Sequence, residues 1–161
     1  MNFVKNKNQL SLNKISYYQT GGNCENLFFP QSTEEVSQFI KLNKQRGKPL
    51  IILGEGSNSL ITDNHWPGDV ICLAKLHYIK QEKDLLQCGA GVQNTEIALK
   101  ALEISSKSCA WMHRLPGQIG ATVRMNARCY GGEISQIVRA LTTVSKDGEI
   151  RKYQTWSDAW P

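Results

Sequence analysis

The sequence predicts an α+β protein with mixed sheets, and three observations carry that prediction. Short apolar runs of the kind that form strands outnumber the segments with helical periodicity, of which there are two. The last two runs, Leu141–Val144 and Ile150–Tyr153, flank Asp147-Gly148, a strong hairpin-turn signal. Strands alternate with these two helices and the last pair makes a hairpin, which favours mixed sheets over a regular doubly wound fold.

Each element has a local reason. Residues 1–26 are polar and punctuated by Gly21-Gly22. Leu27-Phe28-Phe29 reads as a short strand closed by Pro30. Ser32 starts a helix, because its hydroxyl can cap free N–H groups and Glu35, three residues on, completes a capping box. Val36, Phe39, Ile40 and Asn43 share one face of that helix, and Gly47 and Pro49 stop it. Leu50–Leu53 is a continuous apolar run, as expected of a buried strand. A glycine loop follows, then Leu60-Ile61. Val70–Leu73 and Leu85–Cys88 read as further strands. Asn94 is placed to cap a second helix with an apolar stripe of Ile97, Ala98, Ala101 and Leu102. Thr155–Pro161 barely begins another element. The spacing fits one domain built of two small lobes, near residues 1–70 and 71–161.

Composition narrows the function class. The chain has 161 residues, 40% hydrophobic and 20% charged, as in ordinary globular proteins. The start carries no apolar signal segment, and no apolar run approaches the roughly 20 residues that span a bilayer. A cytoplasmic location and no membrane partner are the simple expectations. Cysteines at 24, 72, 88, 109 and 129 are odd in number, and no pair has C-x-x-C spacing. Reduced thiols are expected, with neither a disulfide framework nor a metal site. The net charge of +5 favours an anionic partner, but the positive residues are spread out and no nucleic-acid motif accompanies them, so no nucleic-acid binding is expected. His65, His77 and His113 are isolated in sequence, His113 having the most suggestive neighbours. Nothing marks a catalytic residue.

Two glycine-rich stretches hold the candidate site. In the first, the Leu50–Leu53 run delivers Gly54, Glu55, Gly56, Ser57 and Asn58. Glycines allow close approach and positive φ, and successive N–H groups in such a turn form a nest for a phosphate. A tight inter-strand turn is the plain structural alternative. The loop is neither a G-x-G-x-x-G fingerprint nor a P-loop. The second runs from Leu115 to Ile134 and includes Pro116, Gly117, Ile119, Gly120 and Asn126. Its density of glycine and small residues points to a backbone packed against something flat or bulky, or to a structural crossover.

Three blocks, in order, resemble the MurB family, the UDP-N-acetylenolpyruvoylglucosamine reductases of peptidoglycan synthesis. Thr20-Gly21-Gly22-Asn23, with Phe28-Phe29-Pro30 after it, is similar to the family's early T-G-G block. Gly54-Glu55-Gly56-Ser57-Asn58 is similar to its G-x-G-S-N loop. Pro116-Gly117, Ile119-Gly120, Met125-Asn126-Ala127 and Tyr130-Gly131-Gly132-Glu133 are similar to its P-G-x-x-G-G…M-N-A-G-A-Y-G-G-E block. The resemblance covers about residues 9–155. It implies an FAD-binding domain of the vanillyl-alcohol-oxidase (PCMH) type, with FAD between two α+β lobes. It further implies that Gly54, Glu55, Gly56, Ser57 and Asn58 cradle the pyrophosphate, while Pro116, Gly117, Ile119, Gly120 and Asn126 run along the flavin and its linker. NADPH is the family's reductant, and the flavin supplies the redox chemistry.

The sequence also departs from the family. Ala121 stands at a usual glycine, Arg128 replaces a glycine and Cys129 an alanine. If residue 128 needs positive φ, an arginine there is strained. Arg124 and Arg128 could instead serve an anionic ligand, or be plain exposed arginines. The catalytic arginine motif that follows the hairpin in the family, and the substrate domain with its acid serine and glutamate, have no counterpart here. Ser157 has no motif around it. The expectation is a flavin domain that is inactive alone, completed by a missing domain or a protein partner. The alternative is a non-catalytic module that kept the fold and binds another nucleotide-type ligand or a protein. Trp156 and Trp160 are candidates for that contact.

Overall fold

The computed structural model describes residues 11–159, together with the backbone of residues 3–4. The central sheet is built from β1 (Phe3–Val4), β2 (Cys24–Phe28), β3 (Leu50–Leu53) and β4 (Trp66–Cys72), in the order β1-β2-β4-β3. β1 runs antiparallel to β2, and β4 is parallel to both of its neighbours. The sheet is therefore mixed, as expected.

Helix α1 (Thr33–Arg46) connects β2 to β3, and its ends lie where the sequence puts them. The Ser32 hydroxyl accepts the Glu35 N–H at 3.1 Å. The Glu35 carboxylate reaches back to the Gln31 N–H at 2.7 Å, one residue beyond the usual capping-box partner. Gly47 closes the helix in the left-handed conformation, φ 63°. The face carrying Val36, Phe39 and Ile40 packs on Phe28 and Ile71 of the sheet, where the Phe28 and Phe39 rings stack 4.7 Å apart. The opposite sheet face buries Leu12, Cys24, Leu27, Leu53, Val70 and Cys72.

Asp69, in the middle of β4, is fully buried and fully paired. Its carboxylate accepts from Asn26 (2.7 Å), Asn43 (3.0 Å) and Arg46 (3.0 Å). This network ties the last turn of α1 to the strand beneath it.

β3 departs from the buried-strand expectation. Its apolar run lies at the sheet edge, and Ile52 is 54% exposed. The run could not reveal this, because exposure depends on what the fold packs over each position.

The second half of the chain is assembled from small pieces. β5 (Ile79–Glu82) and β6 (Leu85–Cys88) form a hairpin, followed by α2 (Asn94–Glu103). Asn94 does not cap α2. Gln93 is the N-cap residue and its N–H is held by the Glu96 carboxylate at 3.3 Å, while Asn94 is buried inside the first turn. The buried face comprises Asn94, Ile97, Ala98 and Ala101; Leu102 is 64% exposed, because the buried arc is rotated away from it. A short helix, α3 (Ile119–Arg124), lies within the glycine-rich stretch and was not expected from its composition. β7 (Arg128–Cys129), β8 (Gly132–Glu133) and α4 (Ile134–Ile137) complete that stretch. Val92, Ile97, Ala98, Met112 and Ile134 form the core of this region, and Trp156 packs against it partly buried. Trp160 lies outside the described residues.

The expected hairpin of β9 (Leu141–Val144) and β10 (Ile150–Tyr153) forms with Gly148 at positive φ, and α5 (Trp156–Ala159) follows. The hairpin docks on α1. The Ser37 hydroxyl donates to the Gly148 carbonyl at 2.5 Å, and Lys44 pairs with Asp147 at 2.6 Å. That ion pair holds the Asp147 carboxyl below and the Lys44 ammonium above their ordinary ranges.

All five cysteines are free. Burial pushes the thiols of Cys24 and Cys88 up to about 11, and raises those of Cys72 and Cys109. Such thiols are poor nucleophiles at neutral pH. Among the described residues, no cluster of His, Cys, Asp and Glu could hold a metal ion, and no helix is long and apolar enough to cross a membrane.

Candidate functional site

The tertiary structure brings the two glycine-rich stretches into contact. The first loop leaves the end of β3 and turns over the segment that precedes β2. There the Tyr17 N–H donates to the Glu55 carbonyl at 2.8 Å, and the Tyr18 hydroxyl donates to the Ser57 carbonyl at 3.3 Å. Gly56 takes φ 74°, and a Cβ on it would lie 3.3 Å from the Ser16 backbone, so both reasons for glycine apply at this position. The backbone N–H groups of Glu55, Gly56, Ser57 and Asn58 have no acceptor among the described residues. Four successive N–H groups without partners are thus available to an anion.

The second loop faces the first through Gly117 and Gln118. A Cβ on Gly117, whose φ is 109°, would lie 2.9 Å from Ser57 Oγ; one on Gly54 would lie 3.2 Å from Gln118 Oε1 and 3.7 Å from the Ala121 Cβ. The Gly117 N–H donates to the Glu55 carboxylate at 3.0 Å. Gln118 is buried, and its Oε1 has no hydrogen-bond partner. A buried acceptor without a donor, set beside a nest of free donors, suits a ligand that offers both hydroxyl groups and an anion.

Asn94 and Gln93 support the second loop. The Asn94 N–H donates to the Gly117 carbonyl (3.1 Å), its side-chain amide to the Leu115 carbonyl (3.4 Å), and its Oδ1 accepts from the Thr122 hydroxyl (2.9 Å). Gln93 and Gln118 form an isolated antiparallel bridge. Sequence reading missed the part played by Gln93 and Gln118. The polar residue next to the Asn94 cap candidate and next to Gly117 was the available signal, and it is a weak one.

The other predicted site residues sit differently. Pro116 is exposed beside Gly117. The N–H groups of Ile119 and Gly120 are already bonded to the carbonyls of Val92 (2.8 Å) and Ala90 (2.9 Å), and a Cβ on Gly120 would lie 2.7 Å from that of Ala90. These two residues thus pack the loop onto its own lobe. Asn126 takes φ 45°, donates to Glu133 at 2.7 Å and keeps its Oδ1 buried without a partner.

Arg128 is not at positive φ; the left-handed positions of this segment are Asn126, Tyr130 and Gly131. The arginine therefore carries no backbone strain. Its exposed guanidinium pairs with Glu133 across the β7–β8 hairpin at 3.1 Å. The Glu133 carboxyl is held below its ordinary range by the Ser135 hydroxyl, then by the Asn126 amide and the Arg128 charge. A depressed folded value means that the stabilisation is full above the ordinary carboxylate range, near pH 4.3, and is lost as pH falls through the folded value. Stability measured against pH should therefore fall less steeply in Glu133→Gln than in the wild type below about pH 4. Equal slopes would show that this carboxylate contributes nothing.

Tyr130 and Gly131 both take positive φ at the hairpin tip, the pattern of a type I′ turn. Tyr130 is 87% exposed, so its ring repays little of the strain. Tyr130→Asn should raise stability by about 1 kcal/mol in urea unfolding, since Asn-Gly suits this turn. A loss of stability would mean that the ring makes an unrecognised contact.

Known proteins are similar to this chain in sequence and in fold. The FAD binding domain family matches residues 25–154. UDP-N-acetylenolpyruvoylglucosamine reductase of Lactobacillus helveticus is 34% identical over 147 residues, which is 91% of this chain and 49% of that protein. The same-named protein of Listeria innocua is 34% identical over 141 residues, 88% of this chain and 47% of its own length. The chain thus spans about half the length of the curated relatives it matches. In fold it is similar to the reductase (MurB) of Thermus caldophilus, with TM-score 0.72 and 23% identity, covering 92% of this chain and 52% of that one. It is also similar to 6-hydroxy-D-nicotine oxidase of Arthrobacter nicotinovorans, with TM-score 0.69 and 17% identity, covering 83% and 30%. The α+β fold with mixed sheets expected from the sequence is therefore present, it is shared with these flavoenzyme structures, and the chain belongs to the FAD-binding domain family.

Proposed function

We propose that this chain is the flavin-binding part of a UDP-N-acetylenolpyruvoylglucosamine reductase, and that FAD lies along the seam between its two glycine-rich loops. The single observation that carries this reading is the run of four unpartnered N–H groups at residues 55–58, set against the buried, unpartnered Gln118 Oε1. The nest is suited to a diphosphate, and the orphan oxygen to a hydroxyl of the chain that joins the diphosphate to the ring. When bound, the flavin supplies hydride chemistry. Gly54 and Gly56 let the backbone come close to the diphosphate, while Ser57 and Asn58 add side-chain hydrogen bonds. Pro116, Gly117, Ile119, Gly120 and Asn126 shape the other wall, with Gly117 keeping the seam narrow.

Reduction of an enolpyruvyl nucleotide-sugar with NADPH is the activity of the whole enzyme in this reading, carried out in the cytoplasm. It needs substrate-binding and acid residues supplied by a further domain or a partner chain. This chain contributes cofactor binding and orientation.

The test is to purify the protein, record its visible absorbance, add FAD and desalt. A retained flavin spectrum is expected. Failure to retain or titrate with FAD would overturn the reading, and binding of a nucleotide-sugar without flavin would replace it with that of a non-catalytic module.

A further inference from the structure

Glu55 is tied at both ends. Its carbonyl accepts the Tyr17 N–H at 2.8 Å, and its carboxylate crosses to the other loop to accept the Gly117 N–H at 3.0 Å. Turned so that its nitrogen faces the acceptors, the Gln93 amide donates to Glu55 Oε2 at 3.3 Å and to the Gly117 carbonyl at 3.1 Å. The Asn94 N–H donates to that same carbonyl at 3.1 Å. Every polar atom of Gly117 is thus fixed, at a φ of 109° that only glycine takes comfortably. The N–H groups of residues 55–58 stay free on the adjoining surface.

We infer that the Glu55 side chain is a positioning residue, a latch that sets the 116–120 turn against the 54–58 loop and acts as a hydrogen-bond acceptor rather than as a charge. The carboxylate's lone pairs are aimed at Gly117 and Gln93, and these hydrogen bonds weaken, without removing, its repulsion of a nearby diphosphate. One consequence is an allocation of donors. The Gly117 N–H is spoken for, so an incoming diphosphate is taken by the N–H groups of residues 55–58. The ligand half of this inference rests on the flavin reading above; the latch itself does not.

Two measurements separate them. The first is amide hydrogen exchange by NMR on the protein alone. The Gly117 N–H should exchange slowly in the wild type and in Glu55→Gln, and quickly in Glu55→Ala. The second is FAD titration. Glu55→Ala should weaken binding about ten- to a hundredfold, the effect of losing a hydrogen bond to a charged group, and Glu55→Gln should recover most of that loss. Fast exchange of Gly117 in the wild type overturns the latch. So does a Glu55→Gln protein whose Gly117 N–H exchanges as fast as in Glu55→Ala, since charge would then be what matters; tight FAD binding by Glu55→Ala, or binding by Glu55→Gln as weak as that of Glu55→Ala, overturns the ligand half. If the wild type itself takes up no FAD, the flavin reading fails, and the exchange data still decide whether the latch exists.

Discussion

Asp69→Ala should lower stability by about 3–5 kcal/mol, the usual effect of removing one partner from a buried ionic network. For a chain of this size that corresponds to a fall of roughly 10 °C in Tm. The reason is the company Asp69 keeps. Its carboxylate is fully buried in β4, and it is the acceptor for the amides of Asn26 and Asn43 and for the Arg46 guanidinium. Without it, Asn43 remains buried with an unsatisfied donor, while Arg46, only 33% exposed, is left without its counter-charge. Asp69→Asn should recover only part of the loss, because an amide turns a donor toward donors. Thermal and urea unfolding of both variants check this. A change below about 1 kcal/mol for Asp69→Ala would show that the sheet and α1 hold together without the network.

Gly117→Ala should cost about ten- to a hundredfold in FAD affinity. A φ of 109° is strained for any residue with a Cβ, by about 1–3 kcal/mol, and the new methyl would stand 2.9 Å from Ser57 Oγ. Rotation of the Ser57 hydroxyl can relieve the contact, but the backbone strain is relieved only by a shift of the turn, which alters the seam against the 54–58 loop. The control is Gly47→Ala at the end of α1, where φ is 63° and no atom lies within 4 Å of an added Cβ. It introduces backbone strain far from the seam, so it should lower stability and leave FAD affinity alone. Comparison of flavin fluorescence titrations with Tm for both variants distinguishes the two effects. Unchanged binding in Gly117→Ala would remove the second loop from the flavin site.

The parts of this molecule that were legible in advance are those whose chemistry is complete within a few residues. Ser32, Glu35 and Gly47 bound α1 because a cap and a left-handed terminus need only their own turn. Asp147-Gly148 makes its hairpin for the same reason. Gly54 and Gly56 announced a close backbone approach, and Gly56 meets Ser16 at that distance.

The tertiary structure alone decided what lies opposite each of these features. Ile52 belongs to an apolar run like any other, yet it is 54% exposed in β3, the edge strand of the described sheet. Asn94 has the residue type of a cap and is buried instead, since Thr122 and Leu115 offer it partners. α3 forms in a segment read only as a glycine-rich backbone packed against something flat or as a crossover, with Gly120 drawn against Ala90. The pairing of Glu55 with Gly117 spans 62 residues, and neither residue carries a mark of the other. The sequence thus determined the caps, the turns, the glycine loops and the family they belong to. Burial, edges and the union of the two loops came only with the fold, because each depends on groups brought together from distant parts of the chain.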